Sequence, residues 1–201
     1  MTLLSEELKS FPESLRRNLT KHHELYSLPC TSEYLEELIS ISLNEIGLIN
    51  DWKPNRSHAI STDMTITMGK TISVKSGMYD FTKSVLTFSG SRLGKHGNLK
   101  SMVESVLENS ADWYICVAKI DSDWKLNTGS SSKKIYYIFV FESGNLPYGE
   151  VVWDTKNTKT GGIVYYADLK GFHAEIRPSM SHQLWTNVST SRVGQPAKIE
   201  I

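Results

Sequence analysis

The chain has 201 residues, of which 39% are hydrophobic and 10% aromatic, and its formal net charge is zero. This length suits one domain that buries its core without disulfides or a structural metal, so a disulfide scaffold built on Cys30 and Cys116 alone is excluded. No apolar run approaches the roughly 20 residues needed to cross a bilayer, and the acids ahead of Lys9 do not fit a secretory signal. We therefore expect an intracellular, cytoplasmic protein without a membrane partner.

Charge is distributed unevenly along the sequence. Residues 1–51 carry nine acids and four bases, whereas residues 52–103 carry two acids and eight bases. A local excess of positive charge favours binding of a polyanion. The middle of the chain is therefore the candidate region for a polyanionic substrate.

The N-terminal quarter has the sequence pattern of helices. Residues 3–26 are predicted to form one or two short helices that break near Pro12. A second helix is predicted to begin at a cap on Thr31 or Ser32 and to end at Gly47. Its inward face would be formed by apolar and small residues at helical spacing, namely Leu35, Leu38, Ile39, Ser42 and Ile46.

Strands and one further helix are predicted next. Strands at about 57–68, 71–76 and 83–89 would precede a helix at about 98–109 and a strand at 113–120. The last of these strands is nearly all apolar, which is typical of a strand buried on both faces. The order helix, three strands, helix, strand predicts a mixed α/β fold class.

The last third is predicted to alternate short strands with turns. The expected segments are a polar loop at 121–133, strands at 135–142, 150–154, 162–167 and 172–176, a short helix within 179–185, and an irregular tail at 189–201.

Segment 62–75 alternates apolar and polar residues and predicts a tight β-hairpin. A turn centred on its single glycine would place Asp63 opposite Lys75 and Thr65 opposite Ser73. A carboxylate and an ammonium on one face of a rigid hairpin can bind a divalent cation and activate a water molecule. The alternative is an exposed ion pair of no functional consequence.

Asp63 on the first hairpin strand and Ser73-Val74-Lys75 on the second resemble the PD-(D/E)XK nuclease superfamily, and the resemblance covers about residues 33–120. It implies a restriction-endonuclease-like αβββαβ core at about 33–142, with a mixed central sheet flanked by helices. It further implies a β-rich C-terminal extension, 143–201, with DNA-recognition elements. The chain is most similar to a type II restriction endonuclease, which implies Mg²⁺, double-stranded DNA, a homodimer and a prokaryotic-type cell.

The resemblance also assigns roles to the hairpin residues. Asp63 would bind the metal and Lys75 would position the attacking water. Ser73 stands where the motif has an acid, so a second carboxylate must come from elsewhere. Glu45 on the first core helix is the first candidate for this metal ligand and catalytic residue, and Glu104 on the second core helix is the next. For both, the alternative is a solvated helix glutamate.

Two regions carry candidate DNA-binding residues. The loop that leads into the second core helix resembles a phosphate clamp, because it combines hydroxyls, cations and a helix start. Its candidates are Ser89, Ser91, Arg92, Lys95 and His96, and those of the last third are Lys156, Lys159, His182, Gln183 and Arg192. An arginine can also read guanine, so Arg92 is the strongest candidate. The alternatives are an ordinary basic loop, a solvated turn and a short capped helix.

The sequence thus favours a Mg²⁺-dependent type II restriction endonuclease that cuts double-stranded DNA at a short specific sequence. A junction resolvase or transposon-end nuclease is an alternative, although such enzymes are commonly more basic. A non-catalytic nucleic-acid-binding module of the same fold, which has lost the acid at position 73, is another.

Overall fold

The computed structural model describes residues 8–28, 30, 32–53, 62–67, 69–119, 134–159, 162–177 and 179–201. Within them, the α-helices are α1 (Phe11–Leu25), α2 (Ser32–Glu45), α3 (Leu99–Glu108), α4 (Ser179–His182) and α5 (Thr190–Val193). The strands are β1 (Met64–Thr65), β2 (Thr71–Asp80), β3 (Val85–Arg92), β4 (Trp113–Lys119), β5 (Ile135–Glu142), β6 (Trp153–Asn157), β7 (Ile163–Leu169), β8 (Phe172–Arg177), β9 (Gln183–Ser189) and β10 (Ala197–Glu200).

The described strands form one mixed sheet in the order β10-β5-β4-β2-β3-β9-β8-β7-β6, with β1 paired to β2. Strands β2 and β4 run parallel, and the other described strand pairs are antiparallel. Helix α3 lies in the crossover connection that leads back to β4, as a parallel pair requires. The chain is therefore of the mixed α/β class, and its element order from α2 to β4 is helix, three strands, helix, strand, as predicted.

The sheet separates two hydrophobic cores. On one face, Ile72 and Val74 of β2 pack with Leu15 of α1 and Ile39 of α2. On the other face, the core includes Met102 of α3. Side chains alternate along a strand, so Ser73 and Lys75 project to the α3 side. This alternation decides which helix covers the candidate site.

Some predicted boundaries were wrong. The predicted break near Pro12 is not among them, because α1 begins at Phe11; Pro12 lies in its first turn, where the missing N–H costs no intrahelical hydrogen bond. Trp185 lies in β9 rather than in a helix. The tail is not irregular, because it forms α5 and then β10, which pairs with β5. Tertiary pairing of this kind leaves no local signal in a polar sequence.

Other predictions were confirmed or lie outside the described residues. Strand β4 is buried at every position but its last, and Cys30 and Cys116 are both free and buried. The loop predicted at 121–133 and much of the first predicted strand lie outside the described residues. Among the helices of the described chain, none has the length and apolarity needed to cross a bilayer.

Candidate active site

The candidate site lies where β2 and β3 part. The last pair between β2 and β3 is Gly77–Phe88. The first residues of β2 pair with β1 instead of β3. A Cβ atom on Gly77 would lie only 2.7 Å from the carbonyl oxygen of Thr87, so the two strands are in close contact just before they separate. We call the gap between the first half of β2 and the end of β3 the fork. Asp63, which directly precedes β1, lies in it.

The hairpin register differs from the prediction by two residues. Thr65 pairs with Thr71 and not with Ser73. The glycine of the turn follows the centre instead of occupying it: Gly69 has a φ of +71°, and the amide of Ile66 donates to the carbonyl of Lys70. A shift of two residues leaves every side chain on its original face. Asp63 and Lys75 therefore still meet on one side of the sheet.

One carboxylate oxygen of Asp63 makes the contacts with Ser73, Val74 and Lys75. Oδ2 accepts hydrogen bonds from the amide of Val74 at 2.6 Å and from Oγ of Ser73 at 3.2 Å. The Nζ atom of Lys75 lies 3.7 Å from the same oxygen. No described residue donates to Oδ1 of Asp63. One oxygen thus fixes the carboxylate, and the other remains available to a ligand.

The ion pair is shielded from water but not sealed off. The side chains of Asp63 and Lys75 are 22% and 18% exposed, and Ser73 is fully buried. Interactions between charges strengthen where water is partly excluded. This shielding separates the pair from an ordinary surface ion pair.

Strand β4 supplies neutral groups beside the pair. Tyr114 is the register partner of Ser73, and Cys116 is the register partner of Lys75. Burial raises the pKa of Tyr114 to about 12, and the negative charge of Asp63 acts in the same direction. Burial also raises the pKa of Cys116 to about 12, against the effect of Lys75. Both groups are neutral near pH 7, so Asp63 and Lys75 carry the charge here.

The structure corrects the expected position of the second acid. The carboxylate of Glu45 accepts hydrogen bonds from Ser14 and from Arg17 of α1. Helix α2 packs on the face opposite Ser73 and Lys75, so Glu45 is held away from Asp63. Glu104 is 54% exposed and pairs with Lys100 on the surface of α3. Neither glutamate contacts Asp63.

Among the described residues, Asp63 is thus the carboxylate that contacts Ser73 and Lys75. Across the described part of the chain, no group of three or more His, Cys, Asp or Glu side chains could hold a metal ion. Proteins often bind Mg²⁺ through one or two carboxylates together with phosphates of the substrate. The Oδ1 atom of Asp63, to which no described residue donates, fits that mode, in which the substrate completes the coordination.

Asp112 anchors the start of β2 from the side of β4. Its carboxylate accepts hydrogen bonds from Nζ of Lys70 and from both the amide and the hydroxyl of Thr71, each at 2.9 Å. These bonds tie the start of β2 to the residue that precedes β4. The sequence does not predict this role of Asp112, because an acid before a buried strand carries no distinctive motif.

Most predicted DNA-binding residues lie at one end of the sheet, the end at which β2 begins. We call it the fork end. Strand β3 ends there at Arg92, β9 begins there at Gln183, and the tip of the β6–β7 hairpin lies on the same side. Arg192 is an exception: it follows β9 at the other end and donates to the carbonyl of Lys170. Arg192 therefore lies at the opposite end of the sheet from the other candidates.

The remaining candidates of the first loop differ in exposure. Ser89 and Ser91 are half-buried on β3, and Lys95 is exposed in the following loop. The buried ring Nε2 of His96 has no hydrogen-bond partner among the described residues. Arg92 is exposed, and no described residue accepts a hydrogen bond from it.

Two of the candidates in the last third, Lys156 and His182, make hydrogen bonds to other described residues. Lys156 donates to Oε1 of Glu175 at 2.5 Å, whereas Lys159 is exposed at the hairpin tip. His182 and the preceding Ser181 both have positive φ, and the carbonyl of His182 accepts a hydrogen bond from the amide of Leu93. Backbone strain of this kind clusters at functional sites. The hydrogen bond between Leu93 and His182 holds the loop after β3 against the start of β9.

A charge cluster on β8 is a further feature that was not predicted from the sequence. Glu175 is largely buried, and it binds Lys156 and Arg177, with the ring of His173 3.4 Å away. Burial acts to raise the pKa of Glu175, but hydrogen bonds from Lys156 and Arg177 outweigh it and hold the pKa at about 2. The alternation of His173, Glu175 and Arg177 along a strand could have indicated one charged face.

Comparison with known proteins assigns no family: no family model matches the chain, and no curated protein or solved structure matches it.

Proposed function

We propose that this protein is a Mg²⁺-dependent DNA endonuclease of the PD-(D/E)XK type, most like a type II restriction enzyme. The observation that carries the proposal is the shielded pair of Asp63 and Lys75 at the fork, with Ser73 between them in sequence. No described residue donates to Oδ1 of Asp63, so this oxygen can bind a cation.

The arrangement of elements supports the same proposal. A helix, three strands, a helix and a strand surround the pair in the order of a restriction-endonuclease-like core. Asp63 precedes the first strand of this series, and Lys75 lies on the second. In the superfamily that these residues resemble, the same two strands carry the acid and the lysine.

Each side chain has a role that follows from its contacts. Mg²⁺ bound at Asp63 would polarise the scissile phosphate and lower the pKa of a bound water. The amide of Val74 and the hydroxyl of Ser73 orient the carboxylate of Asp63. The ammonium of Lys75 would position the attacking water and offset the charge that develops on the phosphate. Buried, neutral Tyr114 and Cys116 keep bulk water from one side of the pair.

Cations at the fork end would hold the DNA backbone. Lys95 and Lys159 are exposed there and lack acidic partners among the described residues. A homodimer that places one fork on each strand would produce a double-strand break in a palindromic site. Such an enzyme would act inside a prokaryotic-type cell.

The assay that tests the proposal uses three DNA substrates. Purified protein is incubated with linear genomic DNA, with supercoiled plasmid and with a four-way junction, each with Mg²⁺ and with EDTA. We expect discrete genomic fragments that depend on Mg²⁺. Cleavage of the junction alone would indicate a resolvase, and binding without cleavage would indicate the non-catalytic module. Either outcome would overturn the restriction assignment.

A further inference from the structure

A β-bulge at the fork end changes the direction of Arg92. Ser89 pairs with Trp185 and Arg92 pairs with Gln183, so three steps along β3 match two steps along β9. Because of the extra residue, Arg92 points to the same face as Ser89 instead of facing the α3 core. Gly90 lies in the bulge, and a Cβ atom there would lie 3.1 Å from Leu184. The bulge thus places Arg92, which has no acidic partner among the described residues, beside Gln183.

Gln183 is 9% exposed, and its Oε1 atom is buried without a hydrogen-bond partner among the described residues. Buried amide oxygens are normally satisfied, and an exception needs a reason. The residue faces away from the α3 core, because its neighbour Leu184 packs into that core. Its register partners are Arg92 on one side and Arg177 on the other.

Arg177 is held in position with its outer nitrogen atoms available. Its Nε donates to Oε2 of Glu175 at 2.8 Å, and its guanidinium lies 5.4 Å from the ring centroid of Trp185. No described residue accepts a hydrogen bond from its two Nη atoms. Glu175 and Trp185 therefore act as positioning residues that restrict the guanidinium before any ligand binds.

We propose that Arg92, Gln183 and Arg177 form one row that reads purine edges in the major groove of the DNA. The inference rests on the proposed function, because it assigns sequence specificity to the same DNA-binding end. Arginine can bind O6 and N7 of guanine with two hydrogen bonds, and glutamine can bind N6 and N7 of adenine in the same way. The row thus predicts a recognition sequence in which an A·T pair neighbours G·C pairs.

The row and the catalytic pair share one end of the sheet but lie on opposite faces. Lys75 projects to the α3 side, whereas Gln183 and Arg177 project to the other. Duplex DNA that contacts both must lie across the fork end, with its backbone at Asp63 and a groove over the row. The residues of the row therefore determine which DNA sequence is bound, without contacting the scissile phosphate.

The test is a binding selection from a duplex library of random sequence, with Ca²⁺ in place of Mg²⁺ so that cleavage is not required. The full-length wild type is compared with Arg177→Lys and Gln183→Met, and Arg16→Lys on α1 serves as a control far from the row. Lysine keeps the charge of Arg177 but loses the paired donors, and methionine keeps the size of Gln183 but cannot bind adenine. Circular dichroism confirms that each variant is folded.

We expect Arg177→Lys to lower the preference for guanine at one position by about 5- to 100-fold. Gln183→Met should lower the preference for adenine at a neighbouring position by a similar factor, and Arg16→Lys should leave the selected sequence unchanged. Replacing that guanine by 7-deazaguanine should weaken wild-type binding but not binding by Arg177→Lys.

Variants that select the wild-type sequence with equal preference, or a wild type that selects no sequence, would overturn the inference. Cleavage with Mg²⁺ is measured separately. If the protein selects DNA by this row but never cuts it, the proposed nuclease fails and the recognition row stands.

Discussion

The ammonium of Lys75 lies 3.7 Å from Oδ2 of Asp63, although the two residues are not cross-strand partners in the β1–β2 hairpin. They meet because Asp63, the residue just before β1 begins, lies in the fork, where its carboxylate accepts a hydrogen bond from the amide of Val74. The ion pair is therefore a product of strand separation and not of regular hairpin pairing.

The first prediction concerns the two functions of Asp63, which are catalytic and structural. Asp63→Asn keeps an oxygen that can accept from Val74 but removes the charge, so it should abolish Mg²⁺-dependent cleavage with little loss of stability. Asp63→Ala should abolish cleavage and also destabilise the fold by about 1–3 kcal/mol, because the amide of Val74 loses its partner. Cleavage assays and urea denaturation separate the two effects. Wild-type cleavage by the asparagine variant would remove Asp63 from the mechanism.

The second prediction concerns the two glutamates proposed from sequence. Glu45→Gln and Glu104→Gln should both keep cleavage near the wild-type rate, because neither side chain contacts Asp63. Glu45→Ala should lower stability by about 0.5–2 kcal/mol through loss of its bonds to Ser14 and Arg17. A large loss of cleavage in Glu45→Gln alone would instead restore it as a metal ligand.

The third prediction is a pH dependence that arises from Glu175. Its pKa of about 2 lies below the usual value for glutamate, so its ionised form stabilises the folded state. This stabilisation is fully present above about pH 4.5 and is lost as the pH falls towards 2. Glu175→Gln should therefore flatten the decline of the unfolding midpoint across this window. The exposed-residue control, Glu104→Gln, should follow the wild type, and an unchanged slope in Glu175→Gln would contradict the prediction.

The fourth prediction concerns the point at which the strands part. Gly77→Ala would place a methyl group 2.7 Å from a backbone oxygen of β3, so it should destabilise the protein by about 1–3 kcal/mol. Gly97→Ala is the matched control, because nothing lies within 4 Å of the added atom. Urea denaturation of both variants measures the difference. Equal stability of the two variants would show that β2 and β3 are not in close contact at Gly77.

Local patterns in the sequence identified the elements of the core. The apolar run of β4, the helical stripe of α2 and the cap on α3 each lie within a few residues, and Asn98 does accept from the amide of Ser101. The common face of Asp63 and Lys75 was also predictable, because strand alternation survives a register error of two residues.

Long-range contacts could not be read from the sequence. The bonds of Glu45 to α1 depend on how two helices pack, and the helix spacing alone allowed the same carboxylate to face the sheet. The row of Arg92, Gln183 and Arg177 depends on the pairing of three strands that are far apart in sequence and on one bulge. The sequence periodicity within a single segment does not predict contacts between segments that are far apart in the chain.

The most direct test of the central claim is the cleavage rate of Lys75→Met beside that of Lys70→Met, on DNA that the wild type cuts with Mg²⁺. Lys70 lies on the same hairpin, but it pairs with Asp112 outside the fork. We predict that Lys75→Met loses cleavage by at least about 100-fold and still binds the DNA, whereas Lys70→Met stays within a few-fold of the wild type. Equal rates for Lys75→Met and the wild type would contradict the assignment of the Asp63–Lys75 pair as the catalytic centre.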